Sequence, residues 1–139
     1  MPEFDFTISD ESINDRGGRV LTRGINLKNF KKNPVGFYNH HRSADPYWGG
    51  DGDAAKILPV VRWENLKKNE DGTLTGTAVF DEDDDFSMSL YGKVSKGFIN
   101  SVSIGIEMLA VSYDEKDLVK GQTRGTITKS NLREISIVD

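Results

Sequence analysis

Two strand-like runs, 57–66 and 73–80, flank Lys67-Lys68-Asn69-Glu70-Asp71-Gly72. Asp-Gly between two such runs favours a tight turn, because both residue types accept the positive φ that a hairpin needs. This segment commits the chain to an antiparallel strand pair. On the second strand Leu74, Gly76, Ala78 and Phe80 share a face. Pro59 has no N–H to give a neighbour, so the first strand is expected to lie at an edge or to contain a bulge.

The same period of two recurs along the chain. In 3–8, Phe4, Phe6 and Ile8 face one way and Glu3, Asp5 and Thr7 the other. Asn14-Asp15-Arg16-Gly17-Gly18 is a turn, and 19–23 resumes as a strand. Pro34 biases Asn33 away from helix, and 35–40 returns to a short strand ending at His40-His41. Residues 42–56 are rich in turn formers and read as a long surface loop, the kind that often serves binding. In 99–113, Val102, Ile104, Ile106 and Met108 face one side, and Ser101, Ser103, Gly105 and Glu107 the other. A charged loop, 114–121, precedes two further strands, 124–129 and 132–138.

One helix interrupts the β pattern, near 83–96. Phe86, Leu90 and Val94 form a single apolar stripe at helical spacing. Carboxylates lie at its N-terminus, Lys93 and Lys96 near its C-terminus, and Gly97 ends it. The 139 residues are therefore read as a single domain, 1–139, mainly β with few helices (α+β). The expected architecture is a closed or partly open antiparallel β-barrel.

Composition removes several functions. The chain has no cysteine, which excludes disulfides, thiol nucleophiles and cysteine-bound zinc. Its net charge of −4 comes from 18 basic against 22 acidic residues, which disfavours a nucleic-acid partner. The apolar runs fall far short of the roughly 20 residues of a membrane helix. The acidic start, Met-Pro-Glu-Phe-Asp-Phe, is not expected to act as a signal peptide. Asp81, Asp83 and Asp85 have the first spacings of a calcium loop, but Phe86 and Gly92 stand where it needs glycine and glutamate. No third ligand accompanies the histidine pair at metal spacing, and no phosphate loop or dinucleotide fingerprint is present. Neither a metal nor a cofactor is expected.

Three residue types remain that can carry chemistry. His40 ends a short apolar strand ahead of the long loop, and neighbouring strand residues face opposite ways, so one of His40 and His41 at most faces a given site. Ser103 lies on the polar face of its strand beside Gly105, where backbone or side chain can approach closely. Ser101-Val102-Ser103-Ile104-Gly105 is not the glycine-flanked nucleophile elbow, because Ser101 replaces its first glycine and strand follows it. Glu134 lies among alternating apolar residues. An inward position beside Leu132 and Val138 would demand a partner such as an imidazole.

In this order the segments resemble the prohead, or capsid-maturation, serine proteases of tailed bacteriophages, a family related in fold to the herpesvirus assemblins. The resemblance rests on Ile8-Ser9-Asp10 with Asp15-Arg16-Gly17, on Phe30-Lys31-Lys32-Asn33-Pro34-Val35 leading to Asn39-His40, and on Gly72 to Phe80 with Asp81 and the helix. It continues in Gly97-Phe98-Ile99 to Ser101-Val102-Ser103-Ile104-Gly105, and in Arg133-Glu134-Ile135-Ser136-Ile137-Val138. It implies Ser103 as nucleophile, His40 as general base and Glu134 as third member of a triad. It implies cleavage of scaffold, or of the scaffold-like arm of the major capsid protein, inside the procapsid in the host bacterial cytoplasm, with self-cleavage and self-association as further expectations.

The chain departs from the family pattern at three places. His41 replaces the acidic residue common after the histidine, which leaves the base open between His40 and His41. Ile106 stands where phenylalanine often follows the serine motif, and Asp139 ends the chain where members continue into a Pro-Ala segment. A trimmed or self-processed end is the expectation there. Two other functions stay open on the residues alone. One is a catalytically silent assembly factor of the same fold. The other is an unrelated small β-barrel binding module using aromatics such as Tyr47 and Trp48.

Overall fold

The computed structural model describes residues 1–40 and 58–139. His41, Ile57 and the expected loop 42–56, with Tyr47 and Trp48, lie outside the described residues. The described strands are β1 (Glu3–Ser9), β2 (Arg19–Val20), β3 (Ile25–Asn26), β4 (Val35–Tyr38), β5 (Val61–Lys68), β6 (Leu74–Phe80), β7 (Ser101–Ser112) and β8 (Thr126–Val138). A single α-helix among the described residues, α1 (Asp85–Ser95), follows β6. The mainly-β class with one helix is what the chain adopts.

All eight strands join one sheet in the order β1-β6-β5-β4-β8-β2, with β3 and β7 also paired to β8. The sheet curls strongly into a half-barrel, and its outer strands β1 and β7 approach each other. β8 is the spine. Along one edge it takes β2, β3 and β4 in succession, through Thr126–Ile127, Ser130–Asn131 and Ile135–Ile137. Along its other edge it pairs with β7 from Ser112 to Ser101.

The sheet differs from the antiparallel expectation in one respect: β2, β3 and β4 run parallel to β8, so it is mixed. The two strands expected at 124–129 and 132–138 are one continuous strand. Pairing with the long β7 carries the ladder across the polar residues between them, with three slips in register. The strand expected at 19–23 is only Arg19–Val20, because Thr22–Gly24 tightens into a 3-10 turn.

The hairpin forms, with Gly72 and not Asp71 taking the positive φ. Asn69 N–H donates to the Thr73 carbonyl at 2.9 Å, and Gly72 has φ +87°. β5 is bonded on both sides, to β4 and β6, so it is not an edge; Pro59 precedes it, and a bulge lies further along between Glu64 and Lys67.

The core fills the inside of the curl. Trp63, Leu74, Phe80, Ile135 and Ile137 are buried, and Phe6 and Ile8 join them from β1. Each such side chain contributes about 1.5–3 kcal/mol relative to exposure. Phe4, at 38% exposure, stays on the rim and stacks on Phe6 at 5.0 Å. On β7 the expected apolar face holds through Val102, Ile104 and Ile106. Met108 departs from it and is 62% exposed, where the ladder slips before Ala110.

Helix α1 closes the core through Leu90 and Val94. The Asp84 side chain caps it by accepting from Ser87 N–H at 3.0 Å. Gly97, at φ +84°, ends it: Gly97 N–H donates to Val94 O and Phe98 N–H to Lys93 O, the pair of bonds of a left-handed C-terminal cap. The fully buried Ser87 hydroxyl donates to Val60 O and accepts from Asp81 N–H at 3.0 Å, fastening the helix start to the approach to β5 and the exit from β6. Ser87→Ala removes the hydroxyl with almost no change in volume, and should destabilise the protein by roughly 1–3 kcal/mol. Denaturant unfolding measures this, and an unchanged midpoint would refute the role of the hydroxyl.

Candidate active site

Register along β8 decides what faces what. Val102 pairs with Ile137 and Ile104 with Ile135, and these side chains share the core face. Residues between them face the other way. Ser103 pairs with Ser136, and Gly105 with Glu134. From the other edge, Phe37 pairs with Ser136. Directly paired residues share a face, so Phe37, Ser136 and Ser103 form one row across three strands, and Glu134 and Gly105 form the next.

Strict alternation along 132–138 would put Glu134 on one face with Leu132 and Val138. Leu132 instead joins Ile135 and Ile137 in the core, while Glu134 faces away from them. The cause is the slip between Gly105 and Ile106. Ile106 pairs with Leu132, so Arg133 is an extra residue on β8, and one extra residue reverses the alternation.

Glu134 is nonetheless buried, at 5% exposure. A carboxylate in that setting needs hydrogen-bond partners, and it has two. His40 Nδ1 bonds to Oε1, and the Ser136 hydroxyl donates to Oε2. Gly105 makes the space: a Cβ there would lie 2.9 Å from both Glu134 Cγ and Oε1.

His40 reaches Glu134 by an unusual backbone route. Tyr38 pairs with Ile137 on the core face. A continued extended strand would put His40 on that same face, away from Glu134. Instead Asn39 and His40 adopt φ 51° and 62°, and the left-handed turn carries the imidazole to the other face. Asn39 accommodates this better than most residues. Its N–H donates to Ile137 O at 2.8 Å, and its side-chain oxygen accepts from Asp139 N–H at 3.2 Å. Beside it, the Tyr38 hydroxyl donates to Asp139 at 3.1 Å. Burial, then the Asp139 carboxylate, hold the phenol above its ordinary range, so it is neutral at neutral pH.

The structure therefore brings His40 and Glu134 together, and sets Ser103 on the same face, across from Ser136. No hydrogen bond among the described residues joins Ser103 to His40. Ser103 is half-buried, whereas Ser101 is exposed. His41 lies outside the described residues, and the pairing with Glu134 belongs to His40. Ser136 received no role from the sequence, although it stands two residues from Glu134 in the segment 133–138 that carries the family resemblance. Among the described residues no group of three His, Asp or Glu side chains is placed to hold a metal ion.

A family model described as caudovirus prohead serine protease matches residues 33–139, a span that includes His40, Ser103 and Glu134. No curated protein and no solved structure matches the chain.

The left-handed turn generates a direct test. Valine tolerates positive φ poorly and glycine freely, and both lack the Asn39 amide. Asn39→Val should be less stable than Asn39→Gly by roughly 1–2 kcal/mol. Its His40 ring signals in NMR should also depart from the parent's. Equal stability with unchanged ring signals would show that the turn does not place His40.

Proposed function

The chain belongs to the caudovirus prohead serine protease family, and from that premise we propose that it cleaves peptide bonds through Ser103, His40 and Glu134. The chain is a serine protease of capsid maturation. The observation that carries the residue assignment is the bond between His40 Nδ1 and a buried glutamate, on the face that also bears Ser103.

A serine hydroxyl is a weak nucleophile at neutral pH and needs an adjacent base. With Nδ1 engaged by Glu134, the His40 nitrogen for that work is Nε2. It takes the Ser103 proton as Oγ forms a bond to the scissile carbonyl carbon. The carbonyl electron pair moves onto oxygen, where backbone N–H groups are the expected donors. The C–N bond then breaks as His40 returns the proton to the leaving amine, and an acyl-enzyme remains. Water, deprotonated by the same nitrogen, releases the acid and restores Ser103. Glu134 holds the ring in one tautomer and stabilises the imidazolium.

The substrate in this reading is scaffold, or a scaffold-like segment of the major capsid protein, within the procapsid in the bacterial host. The chain itself is a further substrate. Among the described residues no helix is long and apolar enough to cross a membrane.

A fluorophosphonate, which captures activated serines, tests the assignment. Intact and peptide mass spectrometry should find one adduct, on Ser103, absent from Ser103→Ala. Ser103→Ala should also lower cleavage of capsid protein by about 10⁴–10⁶-fold, the scale of nucleophile removal in other serine proteases. An adduct on Ser101, or none on Ser103 in a preparation that cleaves capsid protein, would overturn it.

A further inference from the structure

Ser136 is completely buried, lies directly across the ladder from Ser103, and donates its hydroxyl proton to the oxygen of Glu134 that His40 does not hold. We propose that Ser136 is a positioning residue of the protease. It fixes which carboxylate oxygen addresses the imidazole, and thereby sets the reactivity of Ser103. The proposal rests on the triad reading above and adds a fourth side chain to it.

The terminal torsion of a glutamate is broad and nearly two-fold, so the carboxylate plane is not fixed by the side chain's own preferences. Here it is fixed from three directions. His40 takes Oε1 and Ser136 takes Oε2. Gly105 is the third: a Cβ there would lie 2.9 Å from Oε1, so the carboxylate sits closer to the β7 backbone than a side chain would allow. The Ser136 hydroxyl is the donor of its bond. Without it, Oε2 would be a buried acceptor with nothing to accept from, and the carboxylate would turn to share its remaining donor. The imidazole would then lose its single orientation. Serine suits this place because it is small enough for a fully buried strand position and still has an O–H to give.

The test is the second-order rate of fluorophosphonate labelling at Ser103, measured in a double-mutant cycle. Ser136→Ala, which keeps the volume, should label roughly 10–100-fold more slowly, the scale of a hydrogen bond to a charged group. In a Glu134→Ala background the same change should cost nothing further, because no acceptor is left for the Ser136 hydroxyl to hold. A merely structural bond would cost the same in both backgrounds. Ser136→Thr, which retains the hydroxyl, should recover most of the rate. Gly105→Ala attacks the same carboxylate from the other side, and should slow labelling with Ser136 intact. Parent-like labelling by Ser136→Ala, or an equal loss in both backgrounds, would overturn the proposal and leave the triad standing. Parent-like labelling by His40→Ala would overturn the triad reading itself, and this proposal with it.

Discussion

A carboxylate buried in a β-sheet is costly unless each of its oxygens is met, and much of the local structure can be traced to meeting those of Glu134. Its neighbour across the ladder is Gly105, the residue with no side chain to occupy its space. The next position on the same face of β8 supplies a hydroxyl. The chain leaving β4 takes a left-handed turn at Asn39 and His40 instead of continuing straight, and so brings an imidazole to the remaining oxygen. Left-handed non-glycine residues are uncommon and persist where the surroundings determine them. Here the Asn39 bonds to Ile137 and Asp139 do so.

These parts meet because β8 is shared. It is bonded to β4 on one edge and to β7 on the other, so groups far apart in sequence become neighbours across single ladder steps. The extra residue at Arg133 is equally necessary. It lets Leu132 stay in the core while Glu134 turns to the opposite face, which strict alternation would forbid. A bulge beside a site re-aims a side chain in this way without disturbing the packing on either side.

Local pattern made much of the fold readable. The hairpin at Asp71-Gly72, the stripe of Phe86, Leu90 and Val94, and the alternation of Phe6 with Ile8 each rest on neighbours within a few residues, where turn chemistry and periodicity act. What escaped was non-local. Nothing within 126–138 announces that Ser130 and Asn131 continue the strand, because the partners that hold them there are β7 on one edge and β3 on the other. Parallel pairing with β2, β3 and β4 depends on distant segments finding β8. The candidate residues Ser103, His40 and Glu134 came from pattern together with family resemblance. The face of Glu134 was not legible, because the one-residue bulge that separates it from Leu132 leaves no mark in an alternating sequence. His40 sits on the face that strand parity would deny it, since two left-handed residues intervene.

Ser103 and Ser136 sharpen the division of labour in the proposed site. They are the same residue type, opposite each other on one face, and periodicity cannot distinguish them. Burial and bonding do. Ser136 is sealed from solvent, with its proton committed to Glu134, so no peptide can reach its oxygen. Ser103 is half-buried on the outer of the two strands, where a substrate carbonyl can approach. The hydroxyl that cannot be reached is suited to hold the carboxylate still, and the one that can be reached is suited to attack. The different roles proposed for the two serines therefore rest on position in the sheet, since the residue type is the same.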